Sequence, residues 1–272
     1  GCNRTQTFTY SATNCGYPVS FEVTYSWTVD TEAPTITCPP QTITFNGQET
    51  IALNAANLVQ ASDNCDVKSI TLSPSIINCQ QVGQTVPVTV TVTDVNDNVN
   101  TCTSNVIVTG LPCGWSSESG AIGCNSNVIY TPAMGLWTTT AGSCFYGPPY
   151  TVDDITFIQR TLCGDGSITA RVNSINVLAS GWAGVIMRES NAVGAKKAQL
   201  MTNLSNLNRR EFRIATNGQS YPQQFGSNER YWLRITRSGN QFSMYASSNG
   251  TAWYIVGTQQ IVMNDCIQIG LA

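Results

Sequence analysis

Apolar and polar residues alternate strictly in the middle of the first half of the chain. Val86, Val88, Val90 and Val92 fall on one side, and Thr89, Thr91 and Thr93 fall on the other. A period of two sends successive side chains to opposite faces, so the pattern predicts a half-buried β-strand. Residues 94–98, Asp-Val-Asn-Asp-Asn, read as a turn, and residues 99–102 begin a return strand. The same alternation runs over residues 19–29. There Val19, Phe21, Val23, Tyr25, Trp27 and Val29 oppose Ser20, Glu22, Thr24, Ser26 and Thr28. Ahead of it, Thr5, Thr7 and Thr9 alternate with Phe8 and Tyr10, and residues 14–18, Asn-Cys-Gly-Tyr-Pro, supply a turn. Two hairpins are therefore expected before residue 110.

Strands are also expected over residues 155–163, 167–172, 183–188, 197–202, 211–215, 232–237, 242–247, 254–257 and 267–271. Clusters such as Ser238-Gly239-Asn240 and Ser248-Asn249-Gly250 separate them. No stretch carries a convincing helical period. Many short strands with frequent turns predict an all-β chain of sandwich or barrel type. The length, 272 residues, suits about two domains at roughly 100–200 residues each. Residues 30–34, Asp-Thr-Glu-Ala-Pro, form a short junction that Pro34 stiffens by fixing its own φ and biasing Ala33 to extended backbone. Three segments follow: 1–32, 33–110 and 111–272. The stretch from Thr7 to Asn14 resembles that from Val88 to Asp94, which hints at a tandem repeat. Both chain ends fall within strand patterns, so a fragment of something longer is expected.

Composition narrows the function classes. Charged residues are 11%, against about 25% in an average globular protein, and the polar balance is Ser, Thr, Asn and Gln. The net charge of −3 with no basic run offers no footprint for nucleic acid. No apolar stretch is long enough to enter a membrane in this segment. Histidine is absent, which removes the commonest general base and transition-metal ligand. Eleven cysteines are dispersed without a Cys-x-x-Cys pair, the pattern of disulfides in an oxidising compartment.

Asp30-Thr31-Glu32-Ala33-Pro34-Thr35-Ile36-Thr37-Cys38-Pro39, then Ala61-Ser62-Asp63-Asn64-Cys65, then Val88 to Asp94, then Thr101-Cys102-Thr103, together resemble a hyalin-repeat domain. The resemblance covers residues 33–110 as one domain and residues 1–32 as the C-terminal part of a preceding copy. It implies an immunoglobulin-like β-sandwich used in tandem by large surface adhesins, with Bacteroidota as a common setting. Residues 150–272 resemble the concanavalin-A-like sandwich of the laminin-G kind, on Asp154-Ile155-Thr156-Phe157, the run from Gly181 to Arg188, the run from Trp232 to Asn240, and the run from Ser248 to Trp253. That likeness implies a larger jelly-roll sandwich over 111–272, truncated at its C-terminal end, in an adhesive or carbohydrate-binding role. Within this frame Cys38–Cys102 would tie first strand to last, Cys65–Cys79 would close a smaller loop, and Cys2–Cys15 would brace the first hairpin. Cys113–Cys124 and Cys144–Cys163 are the expected pairs further on, with Cys266 free or bound to a missing partner.

Two sets of residues are candidates for chemistry. Asp63 and Asp66 in one loop, and Asp94 and Asp97 in another, offer the oxygen donors that calcium takes. A hairpin turn selects the same residues because Asn and Asp tolerate positive φ. Trp182, Trp253 and Tyr254 offer rings for the apolar face of a sugar, and Arg188 offers donors to its hydroxyls; strand tryptophans also simply fill cores. Arg209, Arg210 and Arg213 alternate around Phe212 and read as a solvated outer face. No cofactor is expected apart from calcium, and the carboxylates are too scattered for the facing pair that glycoside hydrolysis needs. The expected protein is a non-enzymatic, disulfide-braced segment of an extracellular, cell-surface adhesin or fibre. Its partners would be neighbouring repeats of the same chain and, if residues 111–272 act as a carbohydrate-binding module on a repeat stalk, surface polysaccharide.

Overall fold

The computed structural model describes residues 2–118, 126–141, 151–176, 181–203, 205, 207–226 and 231–272. Its described residues are almost entirely β, with one four-residue helix, α1 (Ala55–Leu58). The chain divides into two compact units, the second beginning at Leu111 apart from a three-residue excursion at 46–48.

The first unit opens with a long hairpin. Strand β1 (Asn3–Asn14) pairs antiparallel with β2 (Tyr17–Thr28) without a slip, from Asn3↔Thr28 to Asn14↔Tyr17. Cys15 and Gly16 make the two-residue turn with φ of 48° and 86°, and a turn with both φ positive matches the twist of the strands it joins. Because the alternation is in register, one face collects Phe8, Tyr10, Phe21, Val23, Tyr25 and Trp27 while the other is mostly threonine and serine, with Glu22 among them. Tyr10 stacks on Phe21 at 5.3 Å between centroids, and Phe8 meets Tyr25 edge-on at 5.6 Å. These rings nevertheless remain exposed, Phe21 at 60% and Tyr25 at 50%.

The rest of this unit shows the same motif in a finished state. Strands β3 (Thr35–Thr37) and β6 (Gln60–Ser62) pair, as do β5 (Thr50–Ala52) and β8 (Ile76–Asn78). A four-stranded sheet runs in the order β4 (Gln41–Phe45), β10 (Val99–Gly110), β9 (Thr85–Asp94), β7 (Val67–Ser73). In β9 the predicted alternation holds: Val86, Val88, Val90 and Val92 are buried, with Phe45, Leu58, Ile77, Val106 and Val108 in the same core. Strand β4 lies parallel to β10, and Cys38 is bonded to Cys102.

The second unit is a sandwich. A seven-stranded sheet runs β11 (Ser116–Glu118), β14 (Phe157–Cys163), β23 (Cys266–Leu271), β16 (Trp182–Arg188), β17 (Lys197–Asn203), β18 (Asn208–Arg213), β19 (Gln223–Phe225). A four-stranded sheet runs β15 (Gly166–Arg171), β20 (Trp232–Ser238), β21 (Gln241–Ser247), β22 (Tyr254–Gln260). Val185, Met187, Ala198, Leu200, Ile267 and Ile269 from the first meet Ile168, Leu233, Ile235, Phe242, Met244 and Ala246 from the second in one core. Strands β12 (Ser126–Thr131) and β13 (Leu136–Ala141) form a separate hairpin, with Tyr130 and Trp115 packed on Trp137.

Three expected disulfides are corrected. Cys2 and Cys15 are both thiols, because Cys2 sits at the base of the hairpin and Cys15 in its turn, a twelve-residue strand or about 40 Å away. Cys65 is a thiol and Cys79 is bonded elsewhere, since β7 carries the chain away from the Cys65 loop. Cys163 is bonded to Cys266, its direct partner across β14 and β23, so it is not the partner of Cys144. Cys144 and Cys124 lie outside the described residues; Cys113 is in a disulfide.

Candidate functional site

On β16 and β17 the odd and even positions serve different surroundings. Val185, Met187, Ala198 and Leu200 enter the apolar core, so Arg188, Lys197 and Gln199 must face the other side of the sheet. On β18 the same rule turns Arg209, Glu211 and Arg213 to that side. Register then sets Arg188 opposite Lys197, and Lys197 opposite Arg213, three cations in one row. Directly opposed like charges destabilise a sheet unless a counter-charge holds them. Asp153 supplies it. Its carboxylate accepts from Arg188 Nη1 at 2.6 Å, Lys197 Nζ at 2.7 Å, and Arg213 Nη1 and Nη2 at 2.8 Å each. Glu211 binds Lys197 at 2.6 Å and Arg209 at 2.9 Å.

All of these groups are buried, and Arg188, Lys197, Glu211 and Arg213 are wholly so. Burial works to raise the Asp153 carboxyl, but Lys197, Arg213 and Arg188 together hold it below the ordinary aspartate range. Burial lowers both Lys197 and Arg188, and the carboxylates only partly offset this. The expected solvated face of Arg209 and Arg213 is thus a buried ion cluster; Arg210 alone of the three turns the other way. Alternation on a strand reports two faces, and it does not say which is wet.

The four sugar-binding candidates do not form one platform. Trp182 and Arg188 share the ion-cluster face of the large sheet, where Arg188 is fully engaged and Arg209 lies 5.5 Å above the Trp182 ring. Trp253 instead lies under Arg234 at 3.9 Å, on the outer side of the small sheet, and Tyr254 is exposed at the start of β22. Trp182 and Arg188 thus lie on a different sheet from Trp253, and Tyr254, paired with the core-facing Ala246, does not share the Arg234 face either.

A better concavity lies at one open edge, where β18 and β19 face β22. Two adjoining clefts of ≈ 520 and ≈ 460 Å³ share Arg210 and Gln223. Phe225, Tyr221 and Ile255 give apolar surface, and Gln219, Gln224 and Gln259 give amides. Arg210 is held by Gln223 through Nε and Nη2 at 2.9 and 2.7 Å, and by the Val256 carbonyl. The sequence reading missed this site because its walls come from strands remote in sequence.

The calcium candidates separate as well. Asp94 Oδ1 accepts from the backbones of Asn96 and Asn98, and Oδ2 accepts from the Asn98 amide, so it organises its own turn. Asp97 has φ 69° and pairs with Lys68 at 2.5 Å on the surface. Asp66 accepts from Val67 N. Only Asp63 joins a group of convergent donors, with Asp30 and Cys65.

No family model and no curated protein matches the chain. Among solved structures, a functionally unknown protein from Saccharomyces cerevisiae is similar over 58% of this chain and 83% of its own, at 19% identity and a TM-score of 0.39. CBM51-2 and INT domains of Clostridium perfringens ZmpB, in complex with GlcNAc, align with 88% of this chain and 48% of theirs, at 12% identity and a TM-score of 0.21. The M60 catalytic domain of ZmpB with CBM51-1 and CBM51-2 aligns with 98% of this chain and 30% of its own, at 10% identity and a TM-score of 0.22. Overlaps this slight carry no inference about fold or function.

Proposed function

We propose that this chain is a segment of an extracellular adhesin or surface fibre, built from hyalin-like repeats and a larger sandwich, both braced by disulfides. The exposed aromatic face of β1–β2 carries the reading. The β9–β10 hairpin has the same alternating pattern, and there a surrounding sandwich buries the apolar side. By this analogy the natural cover for Phe8, Tyr10, Phe21 and Tyr25 is a neighbouring repeat of the same kind. Disulfides within each unit favour an oxidising location outside the cell. A non-catalytic role fits the ion cluster, because both Asp153 oxygens are already taken up by the buried Arg188, Lys197 and Arg213. Immunogold labelling of intact source cells with antibody to this chain tests the reading. Label on the outer surface is expected, and label confined to the cytoplasm refutes it.

A second reading has its own observation. The Arg210 cleft combines rings and amide groups, the chemistry that meets the apolar face and hydroxyls of a sugar. A glycan array with the intact chain should show binding that Tyr221→Ala removes; no binding to any array glycan rejects it.

A further inference from the structure

We propose that Cys2 and Cys65 form a disulfide that fastens the first hairpin to the sandwich following it in the same unit. Three thiols stand unbonded among the described residues: Cys2, Cys15 and Cys65. Cys15 is a full strand length from the others, at the tip of the hairpin. The remaining two are drawn together by a chain of contacts. The Cys2 carbonyl accepts from Val29 N at 2.9 Å, which sets Cys2 beside the junction that starts at Asp30. Asp30 Oδ1 accepts from the Asn64 side chain at 3.2 Å, and the Asp30 carbonyl accepts from the Asn98 side chain at 3.3 Å. The Asn64 carbonyl in turn lies 3.8 Å from Cys2 Sγ, and Cys65 is the next residue. On the other side, the Cys65 sulfur lies within 4.8 Å of carboxylate oxygens of both Asp30 and Asp63. Both thiols therefore flank Asp30, and both are partly shielded.

The chemistry balances with an external disulfide such as oxidised glutathione. The two thiols lose two protons and two electrons, one sulfur–sulfur bond forms, and the external disulfide is reduced to two thiols. Among the described residues neither sulfur has a competing partner: Cys15 is a strand length away, and Cys38, Cys79, Cys102, Cys113, Cys163 and Cys266 are already bonded. The proposal is compatible with secretion but is tested in a defined redox buffer, so it stands or falls apart from the cellular location.

The experiment is peptide mapping of the intact chain after equilibration with oxidised and reduced glutathione, with alkylation of residual thiols. A linked peptide pair containing Cys2 and Cys65 is expected in the oxidised sample, with Cys15 alkylated. In Cys2→Ser, Cys65 should become alkylatable, whereas Cys15→Ser should leave the linked pair intact. Recovery of Cys2 and Cys65 as free thiols under oxidising conditions overturns the proposal. So does a Cys65 peptide linked to Cys15 or Cys79. Protection of both thiols only while a zinc ion is present, lost on adding chelator, also overturns it, since that assigns the sulfurs to a metal.

Discussion

Replacing Asp153 with asparagine keeps the shape of the side chain and removes the charge that three buried cations share. Arg188, Lys197 and Arg213 stand in adjacent strands at directly paired positions. Without the carboxylate they repel one another where no water screens them. Breaking a buried ion pair by removing one partner costs about 3–5 kcal/mol, and this residue serves three. In a unit near 160 residues that corresponds to a fall in Tm of roughly 6–20 °C. Thermal melts give the total, and hydrogen exchange of β16–β18 amides reports the second unit by itself. The pH dependence gives an independent check. The folded carboxyl lies below its unfolded value of about 3.9. Its contribution is thus complete above that value and is lost as pH falls through the lowered folded one. The gap between wild type and Asp153→Asn should stay level down to about pH 4 and narrow below it. A variant within about 1 kcal/mol of wild type at neutral pH, the size expected for the exposed Lys68–Asp97 pair, would refute the reasoning.

Three further outcomes follow from the same structure. Cys38→Ser with Cys102→Ser opens a loop of sequence separation 64 and should destabilise the first unit by about 4 kcal/mol in denaturant titration. Gly270→Ala should cost about 1–3 kcal/mol or more, measured by urea unfolding, because a Cβ there runs into the Ile158 carbonyl across the β14–β23 pairing. Phe21→Ser with Tyr25→Ser should lower binding of a hydrophobic dye by the intact chain and, by removing the Tyr10–Phe21 and Phe8–Tyr25 contacts, destabilise the β1–β2 hairpin by about 1–3 kcal/mol in hydrogen exchange of its amides.

The fold was legible wherever one face of a strand was apolar and the other was not. Val86 to Val92 alternated in sequence and are buried in alternation, and the strands expected between 155 and 271 lie within a few residues of those found. Pairings between strands distant in sequence were not legible. Cys163 meets Cys266 only because β14 and β23 are neighbours in a sheet whose order departs from chain order. The Arg210 cleft escaped notice for the same reason. Arg209 and Arg213, expected on a solvated face, differ for another reason. Their alternation was real, but burial of charge depends on Asp153, 56 to 60 positions earlier. The loop aspartates divide: Asp94 spends its lone pairs on its own turn, whereas Asp63 stands together with Asp30 and Cys65.

The parallel pairing of β4 with β10 has a consequence for tension. Force entering the first unit near residue 41 and leaving near residue 110 would load five residue pairs together in shear, rather than peel them one after another. Should they yield, Cys38–Cys102 still withholds the intervening contour, about 220 Å of slack at full extension. A tether assembled from such units would lengthen little before its covalent backbone carried the strain.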